Sequence, residues 1–413
     1  MSNKKENKPK IRFPEFTDDW RHGQLKDFAS FMTGNGLSRN DITDKGEQEC
    51  ILYGHLYTDY GMIADKVFFK TNTKINSPVY SEYGDVLIPA SDTTPTGLAR
   101  ATSIEKKGVL LGGGINIVRP NKMVDGSCLS LAINSNKKEL LRLIKGTTVR
   151  HLNNSDIQNI YIFLPSTLSE QDKIKTLFKI LDKNIFINQH KLEILKNIKK
   201  GFLQKLFPKK DEINPELRFP GFNDDWEQHT LLECANFRRG SFPQPYGESK
   251  WYGGEEAMPF VQVADVSDNL KLVDTTKQTI SKLAQPFSVF VPKDSVIVTL
   301  QGSIGRVALT QYDAFLDRTI LYFEKYNKKI DKYFWAYIIQ SKFESEALKA
   351  PGGTIKTITK EALSNFLVNI PCYEEQLKIG HFFKILDSNI SFYKSNFEIL
   401  QNIKKGLLQQ MFV

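Results

Sequence analysis

A stretch near the middle of this chain returns at its end. SEQDKIKTLFKILDKNIFINQHKLEILKNIKKGFLQKLF (Ser169–Phe207) aligns without a gap with EEQLKIGHFFKILDSNISFYKSNFEILQNIKKGLLQQMF (Glu374–Phe412), 205 residues later. A shorter copy lies upstream of each: RFPEFTDDW (Arg12–Trp20) returns as RFPGFNDDW (Arg218–Trp226), with seven of nine residues identical. A long internal repeat constrains the fold more than any local signal. It makes this chain a tandem of two units of about 200 residues each.

The long repeat reads as a helix with a coiled-coil seam. Ile174, Phe178, Leu181, Ile185, Asn188, Leu192, Leu195, Lys199, Phe202 and Leu206 alternate in spacings of four and three. Ile379, Phe383, Leu386, Ile390, Tyr393, Phe397, Leu400, Lys404, Leu407 and Met411 do the same. That is the 3.5-residue period of paired helices. No proline interrupts either stretch, so each helix runs roughly 55 Å. Such a stripe needs a partner, and the simplest partner of each helix is the other. The alternative is that each packs only on its own globular half. Asn188, which aligns with Tyr393, is a polar seam position of the kind that sets register.

The two interiors, 21–165 and 227–371, carry strand signals bounded by Gly, Pro, Asn and Asp. Examples are Asp85–Ser91, Ile115–Pro120, Pro259–Val266, Asp294–Leu300 and Ile320–Lys325. Helical stretches Leu129–Ile144 and Lys332–Lys349 precede a further repeat, Gly146–Pro165 answered by Gly352–Pro371. That repeat reads as a Gly turn, a strand with a basic residue (Arg150, Lys356), a short helix, and a strand ending at proline. The fold class is α+β: two tandem mixed α/β domains, each followed by a long helix. The helices are expected to form an antiparallel coiled coil with pseudo-two-fold symmetry. The expected boundaries are a disordered tail at 1–10, a first domain at 11–168, its helix at 169–207, a linker at 208–216, a second domain at 217–372 and its helix at 373–413.

The frame repeats closely, while Arg21–Lys145 and Glu227–Pro351 share little beyond strand order. That is the profile of one scaffold presenting two different surfaces.

Net charge is +9, and residues 1–207 hold 31 Lys and Arg against 22 Asp and Glu. A basic balance suits a polyanion partner, though Lys-rich solvated faces are common. No run of eighteen apolar residues marks a membrane span, and the polar start MSNKKENKPK lacks a signal-peptide core; the expected location is the cytoplasm. Cys50, Cys128, Cys234 and Cys372 are scattered and read as small buried apolar residues. The pairs Asp18–Asp19 and Asp224–Asp225 read as turns or caps ahead of an aromatic anchor, in preference to metal or acid–base carboxylates. No phosphate loop, HExxH, GxSxG or adenine-methyltransferase signature is present. Gly112–Gly114 and Gln301–Gly305 read as tight turns.

The doubled RFPxFxDDW start, the Gly-Thr segment, the helix starts at Glu170–Gln171 and Glu375–Gln376, and the endings NIKKGxLQxxF resemble the specificity subunit of type I restriction–modification enzymes over nearly the whole chain. The resemblance implies that each interior is a target-recognition domain reading one half of a bipartite double-stranded DNA sequence. It implies that the helix pair is a spacer and that the chain is non-catalytic. It implies partners: two methyltransferase subunits and, through them, two motor-nuclease subunits. Those partners would bring S-adenosylmethionine, ATP and Mg²⁺, with no cofactor bound by this chain and no metal site. An adenine in each half-site follows from the partner's chemistry.

Individual DNA contacts are less legible. Arg39, Ser91, Thr93, Thr94 and Arg100 in the first domain, and Arg238, Arg239, Gln301, Ser303 and Arg306 in the second, have the side chains that reach bases and phosphates from loops. Arg150 and Lys356 share one repeated position, which suits a backbone contact or a solvent-facing strand residue. Two other classes remain open: a stand-alone nuclease or methyltransferase, and a scaffold that binds only proteins.

Overall fold

The computed structural model describes residues 8–209, 211–347, 363 and 365–413. It divides into two compact units, Met1–Gln189 with Ser395–Val413, and His190–Lys394. The units therefore do not follow the sequence boundaries: each takes half of each long helix. Up to residue 7 the expected tail lies outside the described residues.

In the first unit, β1 (Arg21–Gln24) pairs with β12 (Tyr161–Leu164) as an antiparallel ribbon. A five-stranded sheet has the order β2 (Ala29–Thr33), β10 (Ile115–Pro120), β6 (Asp85–Pro89), β8 (Thr102–Ile104), β4 (Ile63–Ala64). A three-stranded sheet has the order β5 (Phe69–Thr71), β3 (Gln48–Ile51), β9 (Leu110–Leu111). A two-residue ribbon joins β7 (Ser91–Asp92) to β11 (Arg150–His151). β6 is buried at every position, as a strand covered on both faces must be.

The second unit repeats this plan. β13 (Glu227–Thr230) pairs with β22 (Leu367–Ile370). One sheet runs β14 (Ala235–Arg239), β21 (Ile320–Tyr326), β18 (Val296–Thr299), β19 (Val307–Leu309). The other runs β16 (Gln278–Ile280), β15 (Met258–Val261), β20 (Ala314–Leu316), β17 (Val289–Val291).

Three sequence expectations need correction. Pro259–Val266 is a strand only to Val261; Val263–Asp265 is a 3-10 turn, because Asp265 accepts the Gln262 N–H at 2.8 Å and caps it. Leu129–Ile144 is two helices, Gly126–Ser135 and Lys137–Leu143, broken at Asn136. Cys372 is exposed, unlike the three other cysteines.

The long helices span Leu168–Lys205 and Tyr373–Gln410. In the first unit Asp182 pairs with Lys404, and Phe178 lies 6.4 Å from Phe412. In the second, Lys199 bonds Asp387 at 2.6 Å and Phe202 meets Phe382 edge-on at 4.9 Å. In both, numbers rise along one helix as they fall along the other, so the pairing is antiparallel. Ile174, Phe178, Leu181, Leu192, Ile379, Phe383 and Leu386 are buried; Ile185, Leu195, Phe202, Ile390, Phe397, Leu400 and Leu407 are partly buried. Asn188 donates to its own helix at Asn184 O, 2.8 Å away. Polar contacts between helices come instead from Lys199 and Lys404, and from Lys191, which donates to the Tyr393 hydroxyl at 3.5 Å. A partly buried Lys–Asp pair tolerates no slip, since a one-residue shift leaves a charge uncompensated.

The repeated motifs are the joints of this frame. Arg12 donates from Nε and Nη2 to both carboxylate oxygens of Glu170, at 2.7 and 2.8 Å, and Trp20 Nε1 donates to Glu170 at 3.2 Å. Arg218 holds Glu375 in the same fork, at 3.0 and 2.6 Å. Glu170 and Glu375 are 1% and 0% exposed; only a bidentate cation makes such burial affordable. The following glutamines accept the N–H of Asp125 (2.6 Å) and Asp331 (3.1 Å) and donate to Pro165 O and Pro371 O, both at 2.9 Å. Those aspartates cap the next helices, accepting from Cys128 N and Phe334 N.

The helix ends are exchanged. Phe412, at the end of the second copy, meets Trp20 of the first edge-on at 5.8 Å. Phe207, at the end of the first copy, meets Trp226 of the second at 6.5 Å. The first unit's core thus includes Leu408, Met411 and Phe412; the second's includes Leu206 and Phe207.

Candidate nucleic-acid interface

Each unit has a corner where its two sheets meet, closed by matching main-chain bonds in both. Gly34 N donates to Ile115 O and Gly240 N to Ile320 O, both at 2.9 Å. Gly112 N donates to Ile51 O (2.9 Å) and Asp317 N to Val261 O (3.0 Å). A Cβ on Gly34 would sit 2.1 Å from Gly112 O, and one on Gly240 would sit 2.3 Å from Leu316 O and Asp317 O. Only glycine permits that approach. These bonds equate Gly112–Gly114 with Asp317–Thr319 and Leu52 with Gln262.

The side chains presented there differ. In the first unit, Tyr53 is 42% exposed and packs against Gly114. Tyr57 donates to Ser91 O at 2.6 Å, and burial raises its pKa. Arg150 donates to Thr93 O (2.8 Å) across the β7–β11 ribbon, and Arg100 donates to Leu56 O (2.5 Å). Ser91, Thr93, Thr94, Arg100 and Arg150 therefore gather on one loop cluster. Asp92 orders it, accepting from Thr93 N at 2.6 Å and Thr94 Oγ1 at 2.9 Å. Arg39 is exposed on a 3-10 turn, within electrostatic reach of His55. Burial lowers the His55 pKa, opposed by the charge of Asp59 and aided to a smaller degree by Arg39; its ring stacks on Phe69 at 3.5 Å.

In the second unit the corner carries charge. Tyr246, 41% exposed, donates to Asp317 Oδ2 at 3.0 Å and accepts from Gln262 Nε2 at 2.8 Å. Exposed Arg318 lies 5.8 Å from the Tyr246 ring centre. The hairpin loop holding Gln301 and Ser303 adjoins this corner through Leu300 N donating to Thr319 O, 2.8 Å. Arg306 is turned back as a brace, with Nε 2.9 Å from Asp268 and Nη1 donating to Val266 O. Arg238 faces Glu324 at 3.8 Å, and exposed Arg239 precedes Gly240. Lys356 lies outside the described residues.

Sequence reasoning missed Tyr53, Tyr57, Tyr246, Gln262 and Arg318. Their positions follow from the corner hydrogen bonds, which no local pattern announces. Both corners offer hydroxyls, guanidinium groups and aromatic faces on loops, and the second adds the half-buried amides of Gln262 and Gln301; this is the equipment for reading base edges and phosphates. Among the described residues, no cluster of three or more His, Cys, Asp or Glu side chains could hold a metal ion, and no helix is long and apolar enough to cross a membrane.

The comparisons agree with this architecture. The model of the type I restriction modification DNA specificity domain matches residues 17–197 and 223–404. The type I restriction enzyme MjaVIII specificity subunit of Methanocaldococcus jannaschii is 24% identical, over 96% of this chain and 92% of that protein. A putative MjaX specificity subunit of the same organism is 24% identical over 98% and 95%. The crystal structure of a type I restriction-modification S subunit from M. genitalium matches with a TM-score of 0.68 at 16% identity, covering 98% of this chain and 99% of that one. Two matched domains, one on each copy of the repeat, show that the chain belongs to the type I restriction–modification DNA specificity family and is a DNA-recognition subunit of that kind.

Proposed function

We propose that the first unit reads one half-site through the Tyr53, Ser91–Thr94, Arg100 and Arg150 cluster, and the second reads the other through Tyr246, Gln262, Gln301, Ser303 and Arg318. The observation that carries this reading is the pairing of one backbone corner with two unlike side-chain sets. The same frame supports two copies of one partner. Ile180, Ile399 and Ile403 are exposed on the helices of the first unit, and Ile385, Ile194 and Ile198 on those of the second. These are the same three repeat positions, isoleucine in all six cases. Two equivalent apolar sites suit two methyltransferase subunits, and through them two motor-nuclease subunits. The chain itself catalyses nothing and holds no cofactor. S-adenosylmethionine, ATP and Mg²⁺ enter with the partners, in the cytoplasm.

The test is single-molecule methylation mapping of DNA from cells expressing this chain with and without its methyltransferase. A bipartite adenine-methylated motif appearing only with both is the expected outcome. Methylation or cleavage by the purified chain alone would establish a stand-alone enzyme. No motif, with the methyltransferase shown to be bound, would leave a protein scaffold.

A further inference from the structure

A second basic feature lies away from the reading corner. In the first unit a cleft of about 800 Å³ opens between the broken helix pair Gly126–Ser135 and Lys137–Leu143 and the long helices. Four lysines line it: Lys137, Lys138, Lys404 and Lys405, with Asp182 the one acidic residue. Lys404 takes up the Asp182 charge. Lys137, Lys138 and Lys405 are exposed and have no hydrogen-bond or ion-pair partner among the described residues. The remaining polar lining, including Gln401, Asn136 and Gln409, is uncharged.

The unit concentrates these cations by a local device. Asn136 interrupts the helix, accepting from Glu139 N at 3.0 Å, so the chain restarts with Lys137 and Lys138 at the cleft. In the second unit the corresponding helix, Lys332–Ala347, is unbroken. Counting from the capping aspartates Asp125 and Asp331, Lys137 matches Phe343, which is fully buried. The break and its lysines belong to the first unit alone.

Three ammonium groups around one cleft repel each other, and no carboxylate among the described residues pairs with them. Partial desolvation of the ammonium, with the charges of Arg100 and Lys404, holds Lys137 below the usual lysine range. Arg100 ties this cleft to the reader. It sits directly after the helix Pro95–Leu98, which packs on Lys137–Leu143, and its own guanidinium is anchored beside Tyr57. A line of positive charge thus leaves the half-site cluster at Arg100, passes Lys137 and Lys138, and reaches Lys404 and Lys405 on the second long helix.

We infer that this cleft binds the sugar–phosphate backbone of the duplex flanking the half-site read by the first unit. The inference rests on the DNA-reading role proposed above. Lysine suits it, being a point charge on a flexible stem that holds phosphates without reading sequence. An acidic protein partner would also neutralise the lysines. The cleft nevertheless lacks an exposed aromatic or arginine anchor of the kind protein interfaces centre on, and it joins the half-site cluster.

The test uses the full chain assembled with its methyltransferase, on a duplex carrying the motif found by methylation mapping. Binding is measured against salt for the wild type, for the triple variant K137Q/K138Q/K405Q, and for K137R/K138R/K405R. Loss of three phosphate contacts lowers the slope of log affinity against log salt by about 3 and weakens binding at 0.1 M salt by roughly 500-fold. The triple Gln variant should show this on cognate and scrambled duplexes alike, with the methylated motif unchanged and the Arg variant close to wild type. An unchanged slope in the Gln variant would overturn the inference. So would loss of methyltransferase assembly with duplex binding otherwise intact, which would assign the cleft to a protein. Failure of the wild-type complex to prefer any sequence would sink the DNA-reading role instead, and is distinguishable because it needs no variant.

Discussion

At the corner of the first unit three glycines, Gly112–Gly114, leave bare backbone for Tyr53 to cover; at the same corner of the second stand Asp317, Arg318 and Thr319. The bonds that close the corner match, Gly34 to Ile115 with Gly240 to Ile320 and Gly112 to Ile51 with Asp317 to Val261, so most of the difference lies in side chains, with Gly114 at φ +77° where Thr319 keeps a negative φ. A corner held by main-chain bonds and two obligatory glycines can change its reading residues without changing its shape. That is how one duplicated frame comes to hold two specificities, and why the frame motifs repeat while the interiors do not.

The largest effect that would test the sameness of the frames lies in the Arg–Glu forks. Removing a buried charge partner leaves Arg12 or Arg218 uncompensated, at a cost of about 3–5 kcal/mol. Glu170→Ala and Glu375→Ala should both destabilise their own unit, read by hydrogen exchange in peptides of that unit. Glu170 should cost more, because it also accepts the Trp20 N–H, whereas the Trp226 indole N–H has no partner among the described residues. If either substitution were nearly neutral, the repeated Arg and Glu would not be the joint that equates the two units.

The forks also show what could be read without coordinates. The residues that repeat, Arg12, Trp20, Glu170 and Gln171 with their counterparts, are those whose partners are fixed by the frame, so duplication alone marked them. The helix pairing was legible from the heptad spacing, and the strands Ile115–Pro120 and Ile320–Tyr326 from their apolar runs. The division of each long helix between two units was not. Nothing local tells Phe412 that its aromatic partner is Trp20, at the far end of the chain. Nor could the corners be found, since Leu52 and Gln262 correspond only through the main-chain bonds beside them. The seam lysines Lys199 and Lys404 were visible as heptad positions, but their acidic partners Asp387 and Asp182 lie off the seam as drawn from spacing.

The next effect addresses the difference between the corners. A good side-chain pair on a base edge is worth about 1–3 kcal/mol of discrimination. Gln262→Ala and Arg318→Ala should each relax one or two positions of one half-site and leave the other half-site unchanged, as read by methylation mapping. Tyr53→Ala should act on the opposite half-site. A variant in one unit that altered both half-sites would break the assignment of one corner to one half.

The smallest effect concerns a second place where the helix joints diverge. Tyr337 donates to Asp387 Oδ2 while Lys199 bonds Oδ1, and the Lys199 ammonium lies 5.0 Å from the Tyr337 ring centre. Burial, then the charge and hydrogen bond of Asp387, push the Tyr337 hydroxyl far above its usual pKa, so it stays a donor. Counted from the capping aspartates, Tyr337 corresponds to Leu131, which can donate nothing. Asp182 in the first unit is accordingly more exposed, at 34% against 8% for the Asp387 side chain. A hydrogen bond to a buried carboxylate contributes about 1.5–3 kcal/mol, and Lys199 remains to hold Asp387 when the hydroxyl is removed. Tyr337→Phe should therefore cost the second unit an amount near the low end of that range, seen as faster exchange in Tyr373–Gln410 up to Lys394 and no change in the first unit. An effect of equal size in both units would mean that the long helices open as one body, so that this joint does not belong to one unit.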